Sequence, residues 1–269
     1  MIKQSVCFGQ FTGVGAVPEE LIKQSAAIGY ASVEMAPRAY WPLIKDSGLD
    51  IAISIGHDSL HDGLNKRSNH DRIEDELLAH IDEAAAHKIP ALIVFSGNCE
   101  GKTSEEGLAN CVEGLLRVVP AAEQRGVTLC MELLNSKFNH PDYQCDRTSW
   151  GVALCRAVGS PAVKLLYDIY HMQIMEGDII RTIGEHAEYI GHYHTAGNPG
   201  RSDLDEMQEL SYPAIMRAIH STSYSGYVGH EFRPKSDPLQ TLQTTYDLCT
   251  ISVSYTHLRA HETPEHLVL

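Results

Sequence analysis

The sequence predicts a (β/α)8 TIM barrel, a closed ring of parallel strands wrapped by helices. Eight short apolar, β-branched runs recur along the chain, and amphipathic stretches at helical spacing lie between them. Parallel strands cannot be joined by tight hairpins and need crossover helices, so this alternation implies a parallel sheet. The count of eight favours closure, and 269 residues suit one barrel of ~250. A doubly wound open sheet is the alternative, but no G-x-G-x-x-G follows the first run.

In chain order, the expected strands are IKQSVCF (2–8), ASVEMA (31–36), DIAISIG (50–56) and ALIVFSG (91–97). They continue with VTLCMEL (127–133), AVKLLYD (162–168), YIGHYHT (189–195) and GYVGHEF (226–232). A helix over 71–88 places Ile73, Leu77, Ile81 and Ala84 on one face, and another over 104–125 does so with Leu108, Cys111, Leu115 and Val119. Thr103 and Glu106 have the spacing of a capping box at the start of the second helix. No linker divides the chain, so residues 1–250 read as one domain. Residues 251–269, TISVSYTHLRAHETPEHLVL from Thr250 on, break the preceding helical pattern and read as a non-native or disordered tail.

The formal net charge of −14, with no run of Lys or Arg, argues against a nucleic-acid partner. No segment approaches the 18 or so apolar residues of a membrane span, and the N-terminal stretch lacks a signal-peptide core. Seven cysteines with no C-x-x-C pair, several in apolar runs, read as buried free thiols in a reducing compartment. A cytoplasmic protein is therefore expected.

In parallel barrels the chemistry sits at the C-terminal ends of the strands. There the fifth to eighth strands carry Glu132, Asp168, His194 and Glu231. Singly, each has a structural explanation: an Arg partner, a helix cap, a core histidine, a bridge to Arg233. A carboxylate inside an apolar strand is costly unless paired or coordinated, however, and four such residues on adjacent strand ends indicate a site. Three oxygen donors and one imidazole suit Mg²⁺, Mn²⁺ or Co²⁺. His57, after the third strand, is expected to reach the barrel mouth, Tyr40 and Trp41 to wall it, and His140 to cover it. His192 and His230 read as pointing away, on the grounds of strand alternation.

The stretches YDIYHMQIMEGD (167–178), GHYHTAGNPGR (191–201), QELSYPAIMRAI (208–219) and GYVGHEFRPK (226–235) resemble hydroxypyruvate isomerases of the xylose isomerase-like barrel superfamily. The resemblance extends over roughly residues 1–249 and is dense from Glu132 onward. It implies that Glu132 and Glu231 are catalytic glutamates that also bind the metal, with Asp168 and His194 as further ligands. It also implies that His171 and Arg201 hold substrate oxygens. Hydroxypyruvate isomerases often carry Gln at the place of His194, whereas ketose epimerases carry His.

The implied activity is conversion of hydroxypyruvate to tartronate semialdehyde through an enediolate, with the two glutamates as acid and base. A ketose 3-epimerase acting on a keto sugar is the alternative. A non-catalytic sugar-binding barrel and an endonuclease-like hydrolase fit less well: binding alone needs no pair of proton-transfer groups, and the endonucleases need three metals and more His ligands. The expected partner is a small keto acid or sugar, and a homo-oligomer is compatible with the resemblance.

Overall fold

A computed structural model describes residues 2–251, so the expected tail over 251–269, Ile251 apart, lies outside the described residues. Among the described residues, eight parallel strands and ten α-helices follow one another as β1 (Lys3–Cys7), α1 (Phe8–Thr12), α2 (Pro18–Ile28), β2 (Ser32–Glu34), α3 (Trp41–Asp46), β3 (Ser54–Ile55), α4 (His70–His87), β4 (Ala91–Val94), α5 (Ser104–Arg125), β5 (Thr128–Glu132), α6 (Thr148–Val158), β6 (Val163–Asp168), α7 (Ile169–Met175), α8 (Ile179–His186), β7 (Ile190–Thr195), α9 (Tyr212–His220), β8 (Tyr227–His230) and α10 (Pro238–Cys249).

The strands are hydrogen-bonded in the order β2-β1-β8-β7-β6-β5-β4-β3, a nearly closed TIM barrel. Its seam lies between β2 and β3. There, three backbone bonds substitute for a ladder: Val33 N–H to Asp50 O, Asp50 N–H to Ala31 O and Met35 N–H to Ile53 O, at 3.0–3.1 Å. β3 is correspondingly shorter than the expected 50–56, because residues 50–53 run beside β2 on these three bonds alone and form no ladder beyond the isolated Ser32–Asp50 bridge.

Two long helices match their expected spans to within a residue. In α5 the Thr103 hydroxyl accepts the Glu106 N–H at 3.1 Å, the cap that its sequence suggested. The apolar stripe of α4 (Ile73, Leu77, Ile81, Ala84) is buried, so its burial and not its propensity fixes the helix against the sheet. β5 and β6 are almost wholly buried on both faces, as expected for strands covered by helices outside and side chains inside.

Candidate active site

The strand-end residues converge. One ligand atom from each of Glu132, Asp168, His194 and Glu231 lies within 4.8 Å of all the others, and all four residues are buried. Strand register explains this: Asp168 and His194 sit opposite each other on β6 and β7. Glu132 ends β5, and Glu231 directly follows β8, its N–H bonded to Thr195 O. Asp168 uses Oδ1 to cap α7, accepting the His171 N–H at 3.0 Å, which leaves Oδ2 for the site.

His194 is the pivot. Its Nδ1 lies 3.1 Å from Glu231 Oε2 and 3.8 Å from Glu132 Oε1, yet makes no hydrogen bond. A buried imidazole nitrogen left without a partner, facing three carboxylates, is what a divalent cation would complete. The donor set of three carboxylates and one imidazole suits Mg²⁺, Mn²⁺ or Co²⁺, so these residues fit the metal that the sequence suggested.

The electrostatics of the cluster agree. Burial, and next the charge of Glu231, holds the Glu132 carboxyl well above the usual carboxylate range. Burial likewise raises Asp168, against the pull of Arg201. Burial would raise Glu231 too, but the Arg201 guanidinium and the His194 ring outweigh it and hold that carboxyl low. Three carboxylates crowded out of water in this way are stable only with added positive charge.

Arg201 supplies part of it. Its Nη2 contacts Glu231 Oε2 at 2.5 Å and lies 3.9 Å from Asp168 Oδ2, while its Nε has no partner. The residue sits in the left-handed region (φ 51°), a conformation that costs a non-glycine residue roughly 1 kcal/mol and clusters at functional positions. The Arg233 N–H fastens it by bonding Arg201 O at 3.0 Å.

His171 is buried beside the quartet, with Nε2 3.8 Å from Asp168 Oδ2 and otherwise unpartnered. Its Nδ1 accepts the Asn135 N–H at 3.1 Å, so in the neutral ring the proton is on Nε2 and faces the site. Burial and Arg201 both keep this ring neutral. His140 packs against it with ring centroids 5.3 Å apart.

Three expectations need correction. His57 is fully buried and both ring nitrogens are engaged: Nε2 accepts the Phe95 N–H and Nδ1 meets Asp58 O, each at 2.9 Å. It ties the ends of two strand segments together and has no free polar atom for a substrate. Trp41 is likewise structural, its indole donating to Ala36 O at 2.9 Å. His192 does not point away. It stands two residues from His194, and a strand period of two puts both on the same, inward face. His230, one residue from Glu231, does face away and meets Thr195 and Gln4.

Sequence reading missed Glu34, fully buried at the end of β2. Its Oε1 accepts from Cys7 Sγ at 3.0 Å and lies 2.9 Å from His194 Nε2, with His192 Nε2 3.2 Å from Oε2. The signal was present: SVEMA holds a carboxylate inside an apolar run, the same anomaly that singled out Glu132. Gln10, on α1, was also missed and donates to Glu231 Oε1 at 3.2 Å.

A family model described as a xylose isomerase-like TIM barrel matches residues 22–248. The chain belongs to the xylose isomerase-like TIM barrel family. The 2-oxo-tetronate isomerase of Cupriavidus necator is 35% identical over 128 residues, 48% of each chain. The hydroxypyruvate isomerase of Escherichia coli is 33% identical over 136 residues, 51% of this chain and 52% of that one. The matched stretch thus spans about half the length of these curated relatives. Among solved structures, an AP endonuclease of family 2 from Brucella melitensis superposes with a TM-score of 0.81 at 24% identity, covering 90% of this chain and 97% of that one. A D-psicose 3-epimerase from Clostridium cellulolyticum does so with 0.74 at 17% identity, over 92% and 98%. At these identities the likeness shows the fold alone.

Proposed function

We propose that the protein is a metal-dependent isomerase of hydroxypyruvate type, acting on a small 2-keto acid that carries a neighbouring hydroxyl. The observation that carries this reading is the pairing of two buried glutamates, Glu132 and Glu231, around an orphaned imidazole nitrogen and a carboxylate, with a guanidinium beside them. The relatives named 2-oxo-tetronate isomerase and hydroxypyruvate isomerase support the same class.

The residues divide the work as follows. A divalent cation held by Glu132, Asp168, His194 and Glu231 would stabilise negative charge developing on the substrate's adjacent carbonyl and hydroxyl oxygens. One glutamate takes the proton from the hydroxyl-bearing carbon, and a glutamate returns a proton to the former carbonyl carbon, completing the hydroxypyruvate to tartronate semialdehyde conversion. Arg201, with its unpartnered Nε, offers a fork to the substrate carboxylate. His171 offers its Nε2–H to a substrate oxygen. Burial of the cluster excludes bulk water, which strengthens each of these interactions.

A second reading, a ketose 3-epimerase, is favoured by one observation: the fourth donor is an imidazole, His194, where hydroxypyruvate isomerases often carry an amide. In that case a proton leaves and returns to the same carbon from opposite faces.

Incubation in deuterated water with Mn²⁺ and hydroxypyruvate, 2-oxo-tetronate or fructose, followed by NMR, separates the readings. The isomerase reading expects a keto acid to isomerise with solvent deuterium at the carbon that accepts the proton. Glu231→Gln and Glu132→Gln should each lower the rate by ~10²–10⁴ with the fold intact. Turnover of fructose with inversion, and none of the keto acids, would replace the isomerase reading with the epimerase.

A further inference from the structure

Below the quartet the barrel interior is polar where a packed hydrophobic layer would ordinarily stand. Cys7, Glu34, His192 and His194 meet there with at most 1% exposure. Glu34 draws three donors toward one carboxylate: the Cys7 thiol and the Nε2 atoms of both histidines. The neighbouring strand makes room for it. Gly229 of β8 stands in register with His194, and a Cβ there would press into the Glu34 carboxylate, 2.8 Å from Cδ.

The geometry fixes a tautomer. An ionised carboxylate only accepts hydrogen bonds, so His194 Nε2, 2.9 Å from Glu34 Oε1, must carry a hydrogen. In the neutral ring Nδ1 is then the bare lone pair, and Nδ1 is the atom that faces Glu132 and Glu231. Without Glu34 the ring is free to place its hydrogen on Nδ1, which blocks coordination, or to turn.

We propose that Glu34 is a positioning residue for the metal centre: it holds His194 in the Nε2–H tautomer with Nδ1 presented to the cation, and Gly229 reserves its place. Neither touches substrate. The inference rests on the quartet being a cation site, and it assigns to the barrel core a part in setting the affinity of that site. Outer partners of metal-ligating histidines contribute about 10–100-fold in metal affinity when intact.

The test is Mn²⁺ binding to the purified chain by electron paramagnetic resonance, with the visible spectrum of the Co²⁺ form as a second readout. Wild type, Glu34→Gln, Glu34→Ala and Gly229→Ala are compared, with circular dichroism and thermal melting as the check on folding. Glu34→Ala should weaken Mn²⁺ binding about 10–100-fold and shift the Co²⁺ bands. Glu34→Gln, which keeps the shape and one acceptor, should fall between it and wild type. Gly229→Ala, which displaces the carboxylate without removing it, should weaken binding in the same direction. If wild type binds neither cation, the reading of the quartet as a metal site fails. If wild type binds and folded Glu34→Gln and Gly229→Ala bind equally well with unchanged Co²⁺ spectra, the role of Glu34 is overturned and the site stands.

Discussion

At the scale of single residues, the arrangement of Arg201 is the most telling about substrate. The chain places a guanidinium in a left-handed backbone position beside the site and leaves its Nε without a partner. A neutral ketose has no carboxylate to meet that fork, whereas a keto acid does. Arg201→Met should therefore raise KM for a keto acid about 10–100-fold, the worth of a lost charge-assisted bond of ~1.5–3 kcal/mol. It should change KM for any neutral sugar that is turned over far less, and steady-state kinetics on both substrates check it. Glu132, Asp168, His194 and Glu231 were legible because each is a costly group in an apolar strand. Glu34 is equally costly, but it stands on β2, apart in the chain from the four neighbouring strands of the quartet, and its partners in space come from β1 and β7. His57 shows the opposite failure. A polar residue after a strand suggests the mouth of a barrel, and nothing in the sequence reveals that two backbone groups claim its ring.

At the scale of elements, the loops after β3 and β4 are locked together more tightly than their composition suggests. Gly97 has φ +91°, and a Cβ there would stand 2.6 Å from Asn65 Oδ1 and 2.6 Å from Gly63 N. Gly97→Ala combines a disfavoured backbone with a clash against backbone that cannot yield. It should cost roughly 2–4 kcal/mol of stability, read from denaturant melts of the two proteins. Strand placement by sequence succeeded best where both neighbours form full ladders. The expected 127–133, 162–168 and 189–195 became Thr128–Glu132, Val163–Asp168 and Ile190–Thr195. It failed at β3, because β-branched composition records a tendency to extend and cannot supply the pairing partner that a ladder requires. The short helices α1, α3 and α7 escaped it too. Five to seven residues are too few for a helical period to declare itself.

At the scale of the whole molecule, the barrel hides its thiols. Of seven cysteines, six are buried and only Cys99 is partly accessible. Burial pushes the thiols up, Cys155 and Cys249 to about 12, so little thiolate exists at neutral pH. Titration with a disulfide reagent at pH 8 should count about one slowly reacting thiol in the native protein and seven in denaturant; several fast native thiols would contradict the packing described. The nearly closed sheet has one weak side, the seam at β2 and β3, while the quartet is drawn from β5 to β8, which pair through ladders with a single register shift at Leu165/Leu166. The chemistry is thus mounted on the part of the ring that is best tied.

The missing side chain at Gly229 has a consequence for how such sequences diverge. The hollow in β8 is filled by an acid from β2, nearly two hundred positions away in the chain, so the two positions form a lock and key across the barrel. A methyl group gained at one demands a shorter or absent acid at the other, and either change alone is a step downhill. Homologues should therefore keep both residues or lose both, and a paired loss would mark a lineage that grips its ion differently.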